Sequence, residues 1–97
     1  MCLCAWCFAD GFEPARLRAM AEGYQAVRPL APAERELLYT EARAAAMRFT
    51  VTRITDVHLD AEATPVVRQA KDFRRYHARL RALRQLGPEG FGELLGR

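Results

Sequence analysis

The sequence predicts an all-α fold, a small antiparallel helical bundle, on three observations. Apolar residues recur at three- and four-residue spacing over three windows, the pattern of amphipathic helices. Pro14 and Pro32 stand where helices start, and Gly87-Pro88 stands where one stops. No stretch alternates apolar and polar residues between turn signals, so no strand is assigned.

Taken in order, residues 2–8 form an apolar run without a breaker, and over so short a length periodicity leaves a buried strand and a helical turn both open. Asp10-Gly11 closes that run as a turn. No capping residue precedes Cys2, and this abrupt apolar start suggests a missing neighbour. Pro14, with Glu13 beside it at the positive end of the dipole, opens a helix whose apolar face is Leu17, Met20, Ala21 and Tyr24. That helix should stop near Val27, because Pro29 disfavours helical backbone at Arg28.

Pro32 opens a longer helix, with Glu34 and Glu36 suiting its first turn and no proline or glycine from Ala33 to Leu59. Leu38, Ala42, Ala45 and Phe49 make one stripe on it, and Met47, Val51, Ile54 and His58 an adjacent one. Together they predict a wide apolar face on a central helix, and Ala44-Ala45-Ala46 would let a neighbouring helix come close. Asp60 to Pro65 reads as a loop, with Val66 and Val67 leading out of it. Asp72 starts a last main helix through Leu86, with Phe73, Tyr76, Leu80 and Leu83 on one face. Gly87-Pro88 ends it, and Phe91, Leu94 and Leu95 are expected in a short terminal turn within a flexible tail at 87–97.

Ninety-seven residues permit one domain with a modest core. Hydrophobic residues at 51% and charged residues at 28% mark a globular rather than a disordered chain. A net charge of +3 is too small by itself to imply nucleic acid, although eight bases and only three acids fall between Arg68 and Arg97. No apolar run approaches the roughly 20 residues that span a membrane. The start, Met1 to Phe8, lacks the basic region of a signal peptide, so a cytoplasmic chain with reduced thiols is expected.

Several residues are candidates for chemistry. Cys2, Cys4 and Cys7 lie within six residues, but structural zinc takes four ligands in two close pairs and there is no second pair. Small core thiols are the reading that fits, and no metal site is assigned. His58 ends the long helix, where an imidazolium suits the dipole, and His77 sits on a basic helix. Arg53 and Asp56 are three apart and can pair, while Arg48 or Arg53 beside an apolar face could hold an anion. Lys71, Arg74, Arg75, Arg79, Arg81 and Arg84 could form a nucleic-acid stripe, but interleaved Phe73, Tyr76, Leu80 and Leu83 say that the helix packs on something, and a solvated face is preferred. No glycine-rich phosphate loop, His-Arg-Asp-like catalytic loop or Asp-Phe-Gly-like metal site is present, so no catalytic residue and no cofactor-binding residue is assigned.

Four blocks taken in order resemble the C-terminal region of the second type of bacterial homoserine kinase, in the aminoglycoside phosphotransferase and choline kinase-like group. Leu3 to Phe8 is similar to an apolar helix of that family, Pro14 to Leu30 to its Pro-Ala-Arg…Gly-Tyr-x-Ala-Val-Arg-Pro stretch, Ala44 to His58 to its Ala-Ala-x-Arg-Phe helix, and Lys71-Asp72-Phe73 to the segment before its last helix. Cys4 stands where the family often has asparagine, and Thr50 and Thr52 replace an aromatic residue and a serine. The resemblance reaches to about Leu86 and implies the helical part of the C-terminal lobe, a single partial domain over 1–97. It implies ATP and magnesium for the full-length family, whose phosphate loop, ATP lysine and catalytic and metal-binding aspartates all come earlier in the chain. By position it makes Trp6, Arg48 and Arg53 the substrate-side candidates.

The first reading is therefore a C-terminal fragment of a homoserine kinase-like phosphotransferase of threonine biosynthesis, inactive alone, with the N-terminal kinase portion as its partner. The alternative is a stand-alone helical module that binds a partner or itself through exposed apolar faces. A basic-helix nucleic-acid binder comes last.

Overall fold

A computed structural model describes residues 1–96. Cys2–Trp6 form a short helix, α1, which settles the ambiguity of the first apolar run in favour of a helical turn. The backbone then doubles back, with a bridge between Phe8 and Phe12 whose rings meet edge to face at 5.1 Å. α2 runs over Pro14–Val27 with proline in its first turn, as the sequence predicts, and Arg28 is extended before Pro29.

α3, Pro32–Arg53, begins with a device that the spacing of Ala31 and Glu34 provides. The Glu34 carboxylate accepts a hydrogen bond from the Ala31 backbone N–H at 3.1 Å, half of a capping box, and pairs with Arg28 at 2.9 Å. The backbone bond, and Arg28 after it, hold the Glu34 carboxyl below its ordinary pKa. The helix ends in one wide π turn, Ile54–His58, closed by Leu59 N–H donating to the Ile54 carbonyl at 2.9 Å.

The segment expected as loop leading out through Val66 and Val67 contains a further helix, α4, over Pro65–Ala70. Thr64 caps it, accepting from Val67 N–H at 3.2 Å, and Pro65 takes the first position. α5 spans Phe73–Leu94 and is capped by Asp72, whose carboxylate accepts from Arg74 N–H at 2.9 Å. It is broken where Gly87-Pro88 predicts, since Gly87 has φ 69° and ψ 175°. Helical backbone resumes beyond the break and carries Phe91 into the core at 1% exposure. Arg97, the end of the expected tail, lies outside the described residues.

The core is the contact of α3 with α5. Tyr39, near the start of α3, donates a hydrogen bond to the Leu83 carbonyl at 3.0 Å and meets the Phe91 ring at 5.9 Å. Phe49, near the end of α3, stacks on Tyr76 near the start of α5 at 5.1 Å. The two helices are thus antiparallel. α1 and α2 close one side, through Cys4, Cys7 and Leu17, all fully buried. Among the described residues there is no strand, and the all-α prediction holds.

One prediction is corrected. The fully buried stripe of α3 is Tyr39, Ala42, Ala46 and Thr50, flanked by half-buried Leu38, Ala45 and Phe49 of the first expected stripe, whereas Met47 and Val51 of the second face solvent at 55% and 51% exposure. Hydropathy alone passes over Tyr39 and Thr50, but each satisfies its hydroxyl before it is buried: Tyr39 on Leu83, and Thr50 on the Ala46 carbonyl at 2.7 Å.

Candidate functional site

The densest chemistry lies where α1, α3 and α5 meet. Burying Phe49 and Tyr76 between α3 and α5 creates an aromatic surface, and two arginines lie on it. The Arg53 guanidinium sits 4.6 Å from the Tyr76 ring centre. That of Arg79 sits 4.8 Å from both Tyr76 and Phe8. Arg79 also donates from Nε to the Cys4 carbonyl and from Nη1 to the Arg75 carbonyl at 2.7 Å. It therefore fastens α1 to α5 and satisfies a carbonyl that so short a helix leaves without a partner. Burial pushes the Arg79 pKa down from its ordinary value, with the nearby Arg53 and Arg75 charges adding to the effect.

The same packing explains the thiols. Cys4 is fully buried, and its Sγ lies 3.5 Å from the Ala42 carbonyl. Cys7 is equally covered, whereas Cys2 is exposed. Burial raises the pKa of both Cys4 and Cys7 and keeps them protonated. Position 4 therefore presents a thiol facing the chain's own core. Among the described residues, no three of His, Cys, Asp or Glu are grouped closely enough to hold a metal ion.

The three substrate-side candidates are not brought together. Trp6, at the end of α1, is 68% exposed, and its carbonyl accepts from Arg16 at 3.5 Å. Arg48 is exposed on α3 and borders a groove of about 620 Å³ with Glu41 and Ala44. Arg53 is half-buried against Tyr76. It turns to that ring rather than to Asp56, whose carboxylate accepts from the Thr55 hydroxyl at 3.1 Å. Arg48 and Arg53 are five residues apart and so project from different sides of α3.

A second cleft, of about 340 Å³, is lined by His58, Arg68, Lys71, Asp72 and Phe73 among others. Two of its cations are already engaged. Arg68 donates to the Asp60 carbonyl at 2.6 Å, and Arg74 pairs with Asp72 at 3.3 Å and lies over Phe73. His58 meets Phe73 edge-on at 5.1 Å. This cleft exists because α4 folds back beside the π turn, and the sequence carried the signal for that helix in Thr64-Pro65, a capping residue followed by a first-turn proline. Of the six-residue basic run, Arg79 is taken up by packing and Arg74 by Asp72, while Arg81 and Arg84 are exposed on α5.

What fold and surface define is an all-α unit, clasped by an arginine on aromatic rings. No protein-family model and no solved structure matches the chain. Curated kinases do. The homoserine kinase of Parvibaculum lavamentivorans is 43% identical over 95 residues, 95% of this chain and 29% of that protein. That of Gluconacetobacter diazotrophicus is 43% identical over 93 residues, again 29% of its length. That of Azorhizobium caulinodans is 55% identical over 58 residues. Over nearly its whole length the chain is similar to the C-terminal region of homoserine kinases, and it spans less than a third of the relatives it matches. No helix among the described residues is long and apolar enough to cross a membrane.

Proposed function

We propose that the chain acts as the helical C-terminal segment of a homoserine kinase-like phosphotransferase and is inactive by itself. The observation that carries this reading is 43% identity sustained over 95% of the chain against proteins more than three times its length. The packing supports it, because the chain provides a helical scaffold and exposed apolar residues but no phosphate loop. In the assembled enzyme, the γ-phosphoryl of ATP would pass to the homoserine hydroxyl with magnesium, chiefly through positioning and charge stabilisation by residues outside this chain. Trp6 and Arg48, both exposed, are the candidates left open to a substrate, and Arg53 would act by positioning Tyr76. A cytoplasmic place in threonine biosynthesis goes with that reading.

The test replaces the matching segment of the Parvibaculum lavamentivorans protein with this chain. Homoserine-dependent release of ADP is expected from the chimera and none from the chain alone. Turnover by the chain alone, or a folded but inactive chimera, overturns the proposal.

A further inference from the structure

The core explains only one side of α3. On the opposite side runs a second stripe, Ala33, Leu37, Thr40, Ala44, Met47 and Val51, alternating spacings of four and three residues, and every one of the six is exposed. That is the a/d repeat of a coiled-coil seam. It extends for about 27 Å at the rise of an α-helix. Leu37, Met47 and Val51 are each more than half exposed. Ala44 lies at the middle, where a small residue lets two helices approach closely.

We infer that this seam is an interface for a second copy of the chain, with the two α3 helices antiparallel and crossing near Ala44. The charges beside the seam select this occupant and this direction. Glu36 and Glu41 flank its first half, and Arg43 and Arg48 its second. Glu41 and Arg48 have no ion-pair partner among the described residues. In a parallel pair, Glu36 would face and repel Glu41 of the second copy. Arg43, whose guanidinium lies 5.6 Å from the centre of its own Tyr39 ring, would neighbour the Arg48 of that copy, with no carboxylate for either to pair with. Reversing one helix sets Glu41 of each copy against Arg48 of the other, twice by symmetry. Glu41 and Arg48 border the 620 Å³ groove along this flank, lined also by Met1, Ala44, Ala45 and Phe49, which offers room for a side chain of the second copy. The inference concerns the chain by itself and does not depend on the kinase reading.

Sedimentation equilibrium of the full chain tests it. Twice the 11.0 kDa chain mass is expected. Glu41→Arg and Arg48→Glu alone should each weaken association by about tenfold or more, and the two together should restore it. Met47→Glu should give a folded monomer, with circular dichroism confirming the fold because Met47 lies outside the core. A monomer at every concentration, or a dimer indifferent to the charge swaps, overturns the inference. So does a chain that is monomeric alone and binds the preceding portion of the Parvibaculum lavamentivorans kinase through Met47 and Val51, since that assigns the seam to a different occupant.

Discussion

Truncating Phe91 to alanine tests whether the helical stretch beyond Gly87 belongs to the folded core. Phe91 is 1% exposed, and its ring meets Phe12 at 5.9 Å and Tyr39 at 5.9 Å, so it joins the α1–α2 connection, α3 and the end of α5. Two further contacts pin that end. Arg18 of α2 donates to the Leu94 carbonyl at 3.2 Å and the Glu93 carbonyl at 3.3 Å, the second of which also accepts from the Gly96 N–H at 3.0 Å. Removing a buried phenyl ring costs about 3–5 kcal/mol, counting lost transfer energy and the cavity together. A chain of this length has roughly 5–15 kcal/mol of total stability, so the change removes a large share of it. At about 4–8 °C per kcal/mol, the melting temperature should fall by roughly 12 °C or more. Thermal and urea unfolding followed by circular dichroism would read this, with Phe91→Leu, expected to cost about 1 kcal/mol, as the control that keeps most of the volume. A Phe91→Ala chain that melts with the parent would refute the argument and detach residues 88–94 from the core.

Gly87→Ala should cost roughly 1–3 kcal/mol, because φ 69° with ψ 175° is a backbone region almost confined to glycine and nothing lies within 4 Å of an added Cβ, leaving backbone strain as the only penalty. Asparagine tolerates only left-handed helical backbone and should cost as much as alanine there, and a urea midpoint equal to the parent's for either variant would contradict this. Arg79→Lys keeps a charge but loses the flat fork between Phe8 and Tyr76 and the hold on the Cys4 carbonyl. It should cost about 1 kcal/mol and make Cys4 label several-fold faster with a thiol reagent, while Cys2 is unchanged. The buried thiols also set a pH dependence. Their folded pKa values lie above the unfolded ones, so the stability they contribute is complete below about pH 8 and declines as the pH rises through their ionisation. Urea midpoints between pH 7 and 9.5 should show that decline, and replacing both Cys4 and Cys7 with alanine should abolish it.

Where the sequence was legible, one residue type did one job. Pro14 and Pro32 can only start helices at those positions, and the Gly87-Pro88 pair can only break one. Phe73, Tyr76, Leu80 and Leu83 share a face on any helix, and the structure packs Tyr76, Leu80 and Leu83 into the core and Phe73 against His58 of the π turn. Legibility failed where two physical roles wear the same residue. On α3 the outer seam is as apolar as the core stripe, and only the hydroxyl bonds of Tyr39 and Thr50 decide which side is inside. On α5, Arg79 looks like any member of a solvated basic run, yet it is the residue that fastens α1. Its signal was its place on the edge of the Tyr76–Leu80–Leu83 face, one step from burial.

This doubling of α3 bears on what the chain is built to do. A helix that needed only its own core would put polar residues opposite Ala42 and Ala46. Here that side has Leu37, Met47 and Val51, and elsewhere on the chain Trp6, Leu59 and Val66 are exposed as well. Charges of opposite sign border the seam in separate halves rather than mixed along it, an order that solvation alone does not require. Apolar surface bordered by ordered charge is the composition of an interface. The chain therefore has more surface to cover than its own helices can cover. The kinase reading and the antiparallel pairing answer that need for the chain in two settings, within a longer enzyme and alone, and the Glu41 and Arg48 swaps separate them because only pairing of two copies requires those two residues to meet.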